Sequence, residues 1–329
     1  MSTALVTGAA GFVGFHVAKR WLDEGWQVIG LDAMTDYYDP ALKRARVALL
    51  EEYEGFSFVE ERVEEPGFLS NLLASDNPSQ VIHLAAQAGV RHSIEAPRDY
   101  MSANITGTFE LLEAARANPG CQLLIASTSS VYGANTKMPY AESDKADSPM
   151  SFYAATKKAT EAMAHSYAHL YDIPATIFRF FTVYGPWGRP DMALFKFVKA
   201  ILEDRPIDVY NHGQMKRDFT YVDDLVEGVW RLAGVPPKRG QDDQSAVAPY
   251  RVVNIGKAAP DTLGDFISEI EAALGKEAVK NLKDMQPGDV PATHSDTALL
   301  ESLTGYRCTT SLSEGIPEFV RWYRSYYSV

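Results

Sequence analysis

The chain has 329 residues, 46% hydrophobic and 22% charged, the balance of an ordinary globular protein with room for one large domain or two smaller ones. Its 31 Lys and Arg against 43 Asp and Glu leave a net charge of −12, which argues against nonspecific binding to nucleic acid or an anionic membrane. Two cysteines exclude a disulfide framework, and the chain has neither a basic leader nor a run of about 18 apolar residues, so a cytoplasmic protein without a membrane span is expected.

Short apolar runs alternate with helical patterns through the first half. "TALVTG" (3–8) reads as a strand, followed by a helix from about Gly11 that ends with Gly25 as its cap. "WQVIGLD" (26–32) is the second strand, and a helix carrying "ALKRARVALLEEY" starts after Asp39–Pro40. Strands follow at "FSFVE" (56–60), "QVIHLAA" (80–86), "CQLLIAS" (121–127) and "PATIFRFF" (174–181). The Ala-rich segment 148–171 before the last of these predicts a long helix. Continuous apolar strands with helices between them predict an α/β fold, a doubly wound parallel sheet of the Rossmann type. After residue 182, Pro, Gly and aromatics become frequent, which predicts a smaller C-terminal substrate-binding domain. The helix "YVDDLVEGVWRLAG" and the strand "YRVVNIG" (250–256) return to the first domain, and 234–249 is a solvated loop. The expected division is 1–181 plus 221–256 for the dinucleotide domain, and 182–220 plus 257–329 for the substrate domain.

"VTGAAGFVG" places Gly8, Gly11 and Gly14 between a strand and a helix. Glycines there allow a tight turn, close approach of a pyrophosphate and close helix packing, and the helix N-terminus favours the anion. Asp32 ends the second strand, where a carboxylate accepts from an adenosine ribose and repels a 2′-phosphate, so NAD is expected rather than NADP. "SFYAATKKA" puts Tyr153 and Lys157 one turn apart on a helix face. A nearby ammonium favours phenolate and fits Tyr153 for proton abstraction.

These blocks, with "HLAAQAGVR", "SSVYG", "RFFTVYGPWGRPDMALFKF", "MKRDFTYVDD" and "MQPGDVP", resemble the extended short-chain dehydrogenase/reductase family. Within it they are most similar to the nucleotide-sugar 4-epimerases that act on UDP-glucuronate. The resemblance implies interconversion of UDP-glucuronate and UDP-galacturonate through a 4-keto intermediate with bound NAD, by a homodimer joined through the helices around 98–117 and 148–171. It implies that Tyr153 takes the proton from the sugar 4-hydroxyl, helped by Thr128 (or Ser127, if the register shifts by one), while Lys157 holds the nicotinamide ribose. It places Ala10, Phe12, Val13, Val63, Leu84, Ala85, Ala86, Gln87 and Asn104 along the cofactor. Ser129, Ser130, Thr182, Arg189, Val209, Tyr210, Arg217 and Asp289 fall to the UDP-sugar. No metal is implied.

Two positions depart from the common pattern: Arg62 stands where an adenine-binding Asp is frequent, and Gln286 where many sugar epimerases have Arg. Related dehydratases read "DEVYG" and decarboxylases "SEVYG", whereas both acidic positions here are serine, Ser129 and Ser130. A row of hydroxyls can donate to the C6 carboxylate of a uronate without adding negative charge; the plainer alternative is that it caps a strand. For Arg189 the alternatives are a clamp on diphosphate or carboxylate and a loop arginine paired with Asp191. A neutral UDP-glucose/UDP-galactose 4-epimerase, a UDP-glucuronate decarboxylase or dehydratase, and a non-catalytic NAD-binding sensor remain the other functions. His83, Cys121 and the aromatic "EFVRWYRSYY" are expected to be core.

Overall fold

The computed structural model describes residues 2–240, 245–285 and 290–329. The strands in chain order are β1 Thr3–Thr7, β2 Gln27–Asp32, β3 Phe56–Glu60, β4 Gln80–His83, β5 Gln122–Thr128, β6 Ala175–Phe180, β7 Thr182–Tyr184, β8 Ile207–Tyr210, β9 Lys216–Arg217, β10 Phe219–Tyr221, β11 Tyr250–Ile255, β12 Asp261–Thr262 and β13 Lys280–Lys283. Seven of them form one sheet in the order β11-β6-β5-β4-β1-β2-β3. Every pairing in it is parallel. The order reverses between β1 and β4, so the crossovers leave a crevice at the carboxyl ends of these two strands, where doubly wound sheets bind ligands.

Helices cover both faces. The helices α1 Phe12–Asp23, α2 Pro40–Glu51, α3 Phe68–Asp76, the short α4 His92–Glu95 and α5 Pro97–Tyr100, α6 Gly107–Ala117 and α7 Phe152–Tyr171 belong to the first half. The helices α8 Ala193–Leu202, α9 Val222–Ala233, α10 Leu263–Leu274, α11 Ala298–Thr304 and α12 Leu312–Tyr327 follow. One face packs Phe15, Ala18 and Trp21 of α1 with Leu225, Val229 and Leu232 of α9. The other packs Leu69 and Leu73 of α3, Leu111 and Leu112 of α6, and Ala164 and Ala168 of α7. With helices on both sides, all seven residues of β5 are buried, which is why the strands read as unbroken apolar runs. A third cluster joins α8, α10 and α12 with β7, β8 and β10 around Phe195, Phe219, Phe266 and Phe319. The aromatic tail belongs to this cluster through Phe319 and Tyr323, as expected.

The expected strands form, with shifts at the ends that have local causes. β4 stops at His83 rather than Ala86 because the Thr7 hydroxyl accepts from the Leu84 and Ala85 amides (both 3.2 Å), so the chain leaves the sheet there. The long helix starts at Phe152, not 148, because the Ser151 hydroxyl accepts from the Ala154 amide and caps it. The described part of 234–249 holds no helix or strand, as a loop should; 241–244 lie outside the described residues. No helix among the described residues is long and apolar enough to cross a membrane.

Candidate active site

The crevice at the strand ends opens into a cavity of about 780 Å³. Its walls are the 8–14 turn, the ends of β2 and β3, the 84–90 loop, Thr128, the Tyr153–Lys157 face of α7, and the 180–192 segment. A volume of this size suits a drug-sized or larger ligand.

The glycine turn is set by close contacts. Gly8 has φ +75°, and its amide donates to the Leu31 carbonyl (2.6 Å). A Cβ on Gly14 would lie 1.9 Å from the Gly8 carbonyl oxygen, and one on Gly8 would lie 2.8 Å from the Ala85 nitrogen. Only glycine therefore brings α1 and the 84–85 backbone so near the turn. Gly8, Gly11, Phe12, Val13 and Gly14 line the cavity, whereas Ala10 is fully buried behind it and donates its amide to Asp32 (3.2 Å). The other Asp32 oxygen accepts from the Met34 amide (2.9 Å) and lies 3.5 Å from Lys43 Nζ. The close turn, the helix N-terminus, a nearly buried carboxylate closing the second strand and the run Val63, Leu84, Ala85, Ala86 and Gln87 along the wall fit a dinucleotide. Arg62 is in the wall but turns to Glu64 (3.0 Å). Asn104 lies behind the wall, in a π-helical turn. It accepts from the Gln87 amide (2.8 Å), donates to the Gln87 carbonyl (3.1 Å), and donates to Thr156 Oγ1 (3.0 Å), tying the cofactor wall to α7.

Thr128, Tyr153 and Lys157 converge on the same cavity. Burial pushes the Tyr153 phenol up; the Thr128 hydroxyl and the Arg189 charge act against it. Burial lowers the Lys157 ammonium to about 8, while Glu161 opposes that fall. His83 beneath them is buried, with its Nδ1 2.8 Å from the Thr7 hydroxyl. Burial, reinforced by Lys157, lowers it to about 3, so it is neutral and structural. Ser127 and Thr128 divide their work. The Ser127 hydroxyl donates to Glu161 at 2.6 Å, whereas the Thr128 hydroxyl accepts from the Ser130 amide and donates to the Ser130 hydroxyl (both 3.2 Å). Thr128 therefore caps a single turn, Ser129–Tyr132, as the plain strand-end alternative required, and still borders Tyr153.

The sugar-side residues scatter more. Arg189 lines the cavity but is held by Asp191 through two bonds (3.0 and 2.5 Å), and Asp191 also accepts from Tyr37 (3.3 Å). Thr182 borders a smaller apolar hollow next to the cavity; its amide donates to the Asp218 carbonyl (3.0 Å). Ser129 and Ser130 are half-buried beside the cavity and not in its wall. Val209 and Tyr210 on β8 and Arg217 on β9 lie outside it; the Arg91 guanidinium sits 5.5 Å from the Tyr210 ring centre. Asp289 and Gln286 fall outside the described residues. Among the described residues, no cluster of His, Cys, Asp or Glu could hold a metal ion.

Three polar groups at the site were not anticipated. Lys43 reaches Asp32; Arg46, fully buried, donates to the Ala10 carbonyl (2.7 Å) and the Trp187 carbonyl (2.6 Å); Glu161 takes Ser127. The signal was present for two of them. Arg46 stands in the apolar stripe Leu42–Arg46–Leu50, and Glu161 continues the Tyr153–Lys157 face by another turn.

Residues 4–256 match the model of the "NAD dependent epimerase/dehydratase family". A "Probable UDP-glucuronate 4-epimerase" of Rhizobium meliloti (strain 1021) is 53% identical, over 98% of this chain and 97% of its own. "UDP-glucuronate 4-epimerase 4" of Arabidopsis thaliana is 48% identical, over 99% of this chain and 76% of its own. The crystal structure of UDP-glucuronic acid 4-epimerase from Bacillus cereus, in complex with UDP-glucuronic acid and NAD, superposes with a TM-score of 0.88 at 34% identity, over 99% of this chain and 100% of that one. The chain belongs to the NAD dependent epimerase/dehydratase family.

Proposed function

We propose that this protein interconverts UDP-glucuronate and UDP-galacturonate by inverting C4 of the sugar, with NAD held along the glycine turn. The observation that carries the reading is the meeting of Tyr153, Lys157 and Thr128 in one cavity opposite that turn. Tyr153 takes the proton of the sugar 4-hydroxyl and later returns it. Lys157, for whose ammonium no protein acceptor is found among the described residues, is free to hold ribose hydroxyls and to stabilise the phenolate. Thr128 donates to that phenolate. The dinucleotide, when bound, supplies a hydride acceptor that gives the hydride back to the opposite face of the same carbon. Arg189 is placed to exchange Asp191 for a substrate carboxylate or diphosphate, which its planar fork matches.

Ser129 and Ser130 offer no acid for eliminating water or managing C5, which favours epimerisation over dehydration and decarboxylation. We assign 182–220 and 257–329, Asp289 included, to a domain for the UDP-sugar. Exposed Met101 and Phe109, before and on α6, and Met150 and Phe152, before and at the start of α7, support a homodimer through those helices. The test is incubation with UDP-glucuronate and NMR of the sugar. UDP-galacturonate as the main product is expected. Turnover of UDP-glucose with UDP-glucuronate untouched would move the assignment to a neutral-sugar epimerase, and a 4-keto-pentose product to a decarboxylase.

A further inference from the structure

Beneath the catalytic face of α7 lies a charge that the reaction as described does not use. Glu161 is four residues beyond Lys157, and its side chain is only 2% exposed. Four donors surround its carboxylate. Ser127 Oγ (2.6 Å) and Arg179 Nε (2.9 Å) donate to one oxygen; Arg179 Nη2 (2.8 Å) and Lys158 Nζ (3.1 Å) donate to the other. Arg179, also buried, lies 4.7 Å from the ring centre of Tyr132, whose hydroxyl donates to Asn254 (2.7 Å). The carboxylate is thus fixed from β5, β6 and α7 at once.

A buried ion pair is a poor device for stability alone, since well-packed apolar side chains of similar volume do as well or better. Its placement here has two consequences for catalysis. Ser127 is the residue before Thr128, so the bond to Glu161 sets how far the end of β5 stands from Tyr153. The other consequence concerns Lys157. The ionisable groups around it are His83 from β4 and, one helical turn to either side on its own helix, Tyr153 and Glu161; Arg179 from β6 and Lys158 reach Glu161. His83 is neutral, Thr108 and Asn104 nearby carry no charge, and Arg189 acts on Tyr153. Glu161 is the anion of this set, and it is the group that opposes the effect of burial on Lys157.

We propose that Glu161, anchored by Arg179, is a positioning residue for the reaction: it locks the Ser127–Thr128 strand end onto α7 and supplies the buried negative charge that keeps Lys157 an ammonium. The inference rests on the roles given above to Thr128, Tyr153 and Lys157. A charged Lys157 in turn stabilises the Tyr153 phenolate, so Glu161 acts on the base through a lysine.

Three variants separate this role from a structural staple. Glu161→Gln keeps the shape but removes the charge. Glu161→Gln/Arg179→Gln removes both buried charges and leaves only the part-exposed Lys158 without its partner, so it decides the matter if the single variant does not fold. Arg179→Gln keeps the carboxylate. The readouts are the pH profile of kcat, the KM for the UDP-sugar, and the ionisation of Tyr153, followed as tyrosinate absorbance by difference from the matching Tyr153→Phe protein. In Glu161→Gln relative to the parent, and in the double variant relative to Arg179→Gln, the alkaline limb of kcat is expected to move to lower pH and kcat above pH 8 to fall by about tenfold, the effect of one opposite charge nearby. The KM stays within about threefold of the parent, and the Tyr153 phenolate forms at higher pH. Arg179→Gln is expected to leave the alkaline limb in place or move it to higher pH. An unchanged limb and an unchanged Tyr153 titration in the double variant relative to Arg179→Gln would overturn the proposal. If the parent protein turned over no UDP-sugar, the functional reading would fall, while the Tyr153 titration would still decide the role of Glu161.

Discussion

Thr128→Val separates the two tasks that the structure gives one hydroxyl. Valine keeps the β-branched shape that suits the end of β5, so packing is preserved. Two bonds with Ser130, each 3.2 Å, are lost, and with them the cap of the Ser129–Tyr132 turn. Loss of such a cap costs about 1 kcal/mol, or a few degrees in Tm at most for a chain of this size. The hydroxyl also lowers the Tyr153 phenol, against the burial that raises it. A hydrogen bond to a charged group contributes about 1.5–3 kcal/mol. If that donor acts on the phenolate in the transition state, its loss lowers kcat by about 10- to 100-fold. The assay pairs NMR of the product formed from saturating UDP-glucuronate with a thermal melt. A kcat within about threefold of wild type, alongside a lowered Tm, would refute the catalytic role and leave Thr128 as a cap.

Other outcomes follow from the same geometry. Tyr153→Phe should retain NAD, detectable after denaturation, and lose turnover by at least about 100-fold, since a positioned acid–base group contributes that much; residual activity above a tenth of wild type would count against the assignment. Gly14→Ala should yield protein depleted of NAD, because its Cβ would meet the Gly8 carbonyl at 1.9 Å and neither backbone can yield; normal cofactor content would show that the turn tolerates a side chain. Titration should show NAD bound at least about tenfold more tightly than NADP, since the Asp32 carboxylate ends β2 in the cavity wall and a 2′-phosphate beside it would meet like charge. Lys43, 3.5 Å from that carboxylate, is the group that would soften the discrimination, so Lys43→Met should widen it, and a narrower ratio would overturn this account.

The sheet was legible because burial on both faces writes itself as unbroken apolar runs, and the cofactor turn because its glycines are steric necessities. Helix starts were less so. The Ser151 cap cannot be told from Ser148 without knowing where the chain leaves the sheet. The substrate side was the hardest to read. Val209, Tyr210 and Arg217 lie on short strands outside the cavity, and their distance from it depends on long-range packing of β8, β9 and their partners.

The pair Ser127 and Thr128 shows where such reading stops. Strand alternation would aim the two hydroxyls at opposite sides, yet both meet α7, Ser127 at Glu161 and Thr128 beside Tyr153, because Thr128 ends β5 where the chain turns into Ser129–Tyr132. Which one meets Tyr153 depends on how far along β5 α7 lies, and that is set by a crossover rather than by the dipeptide. The deciding partner, Glu161, lies 34 residues away along the chain. Once the carboxylate engages Ser127, that hydroxyl is committed as its donor and cannot also give its proton to a phenolate. Thr128, whose present partners are another hydroxyl and an amide of its own turn, keeps a hydroxyl that can reorient toward Tyr153.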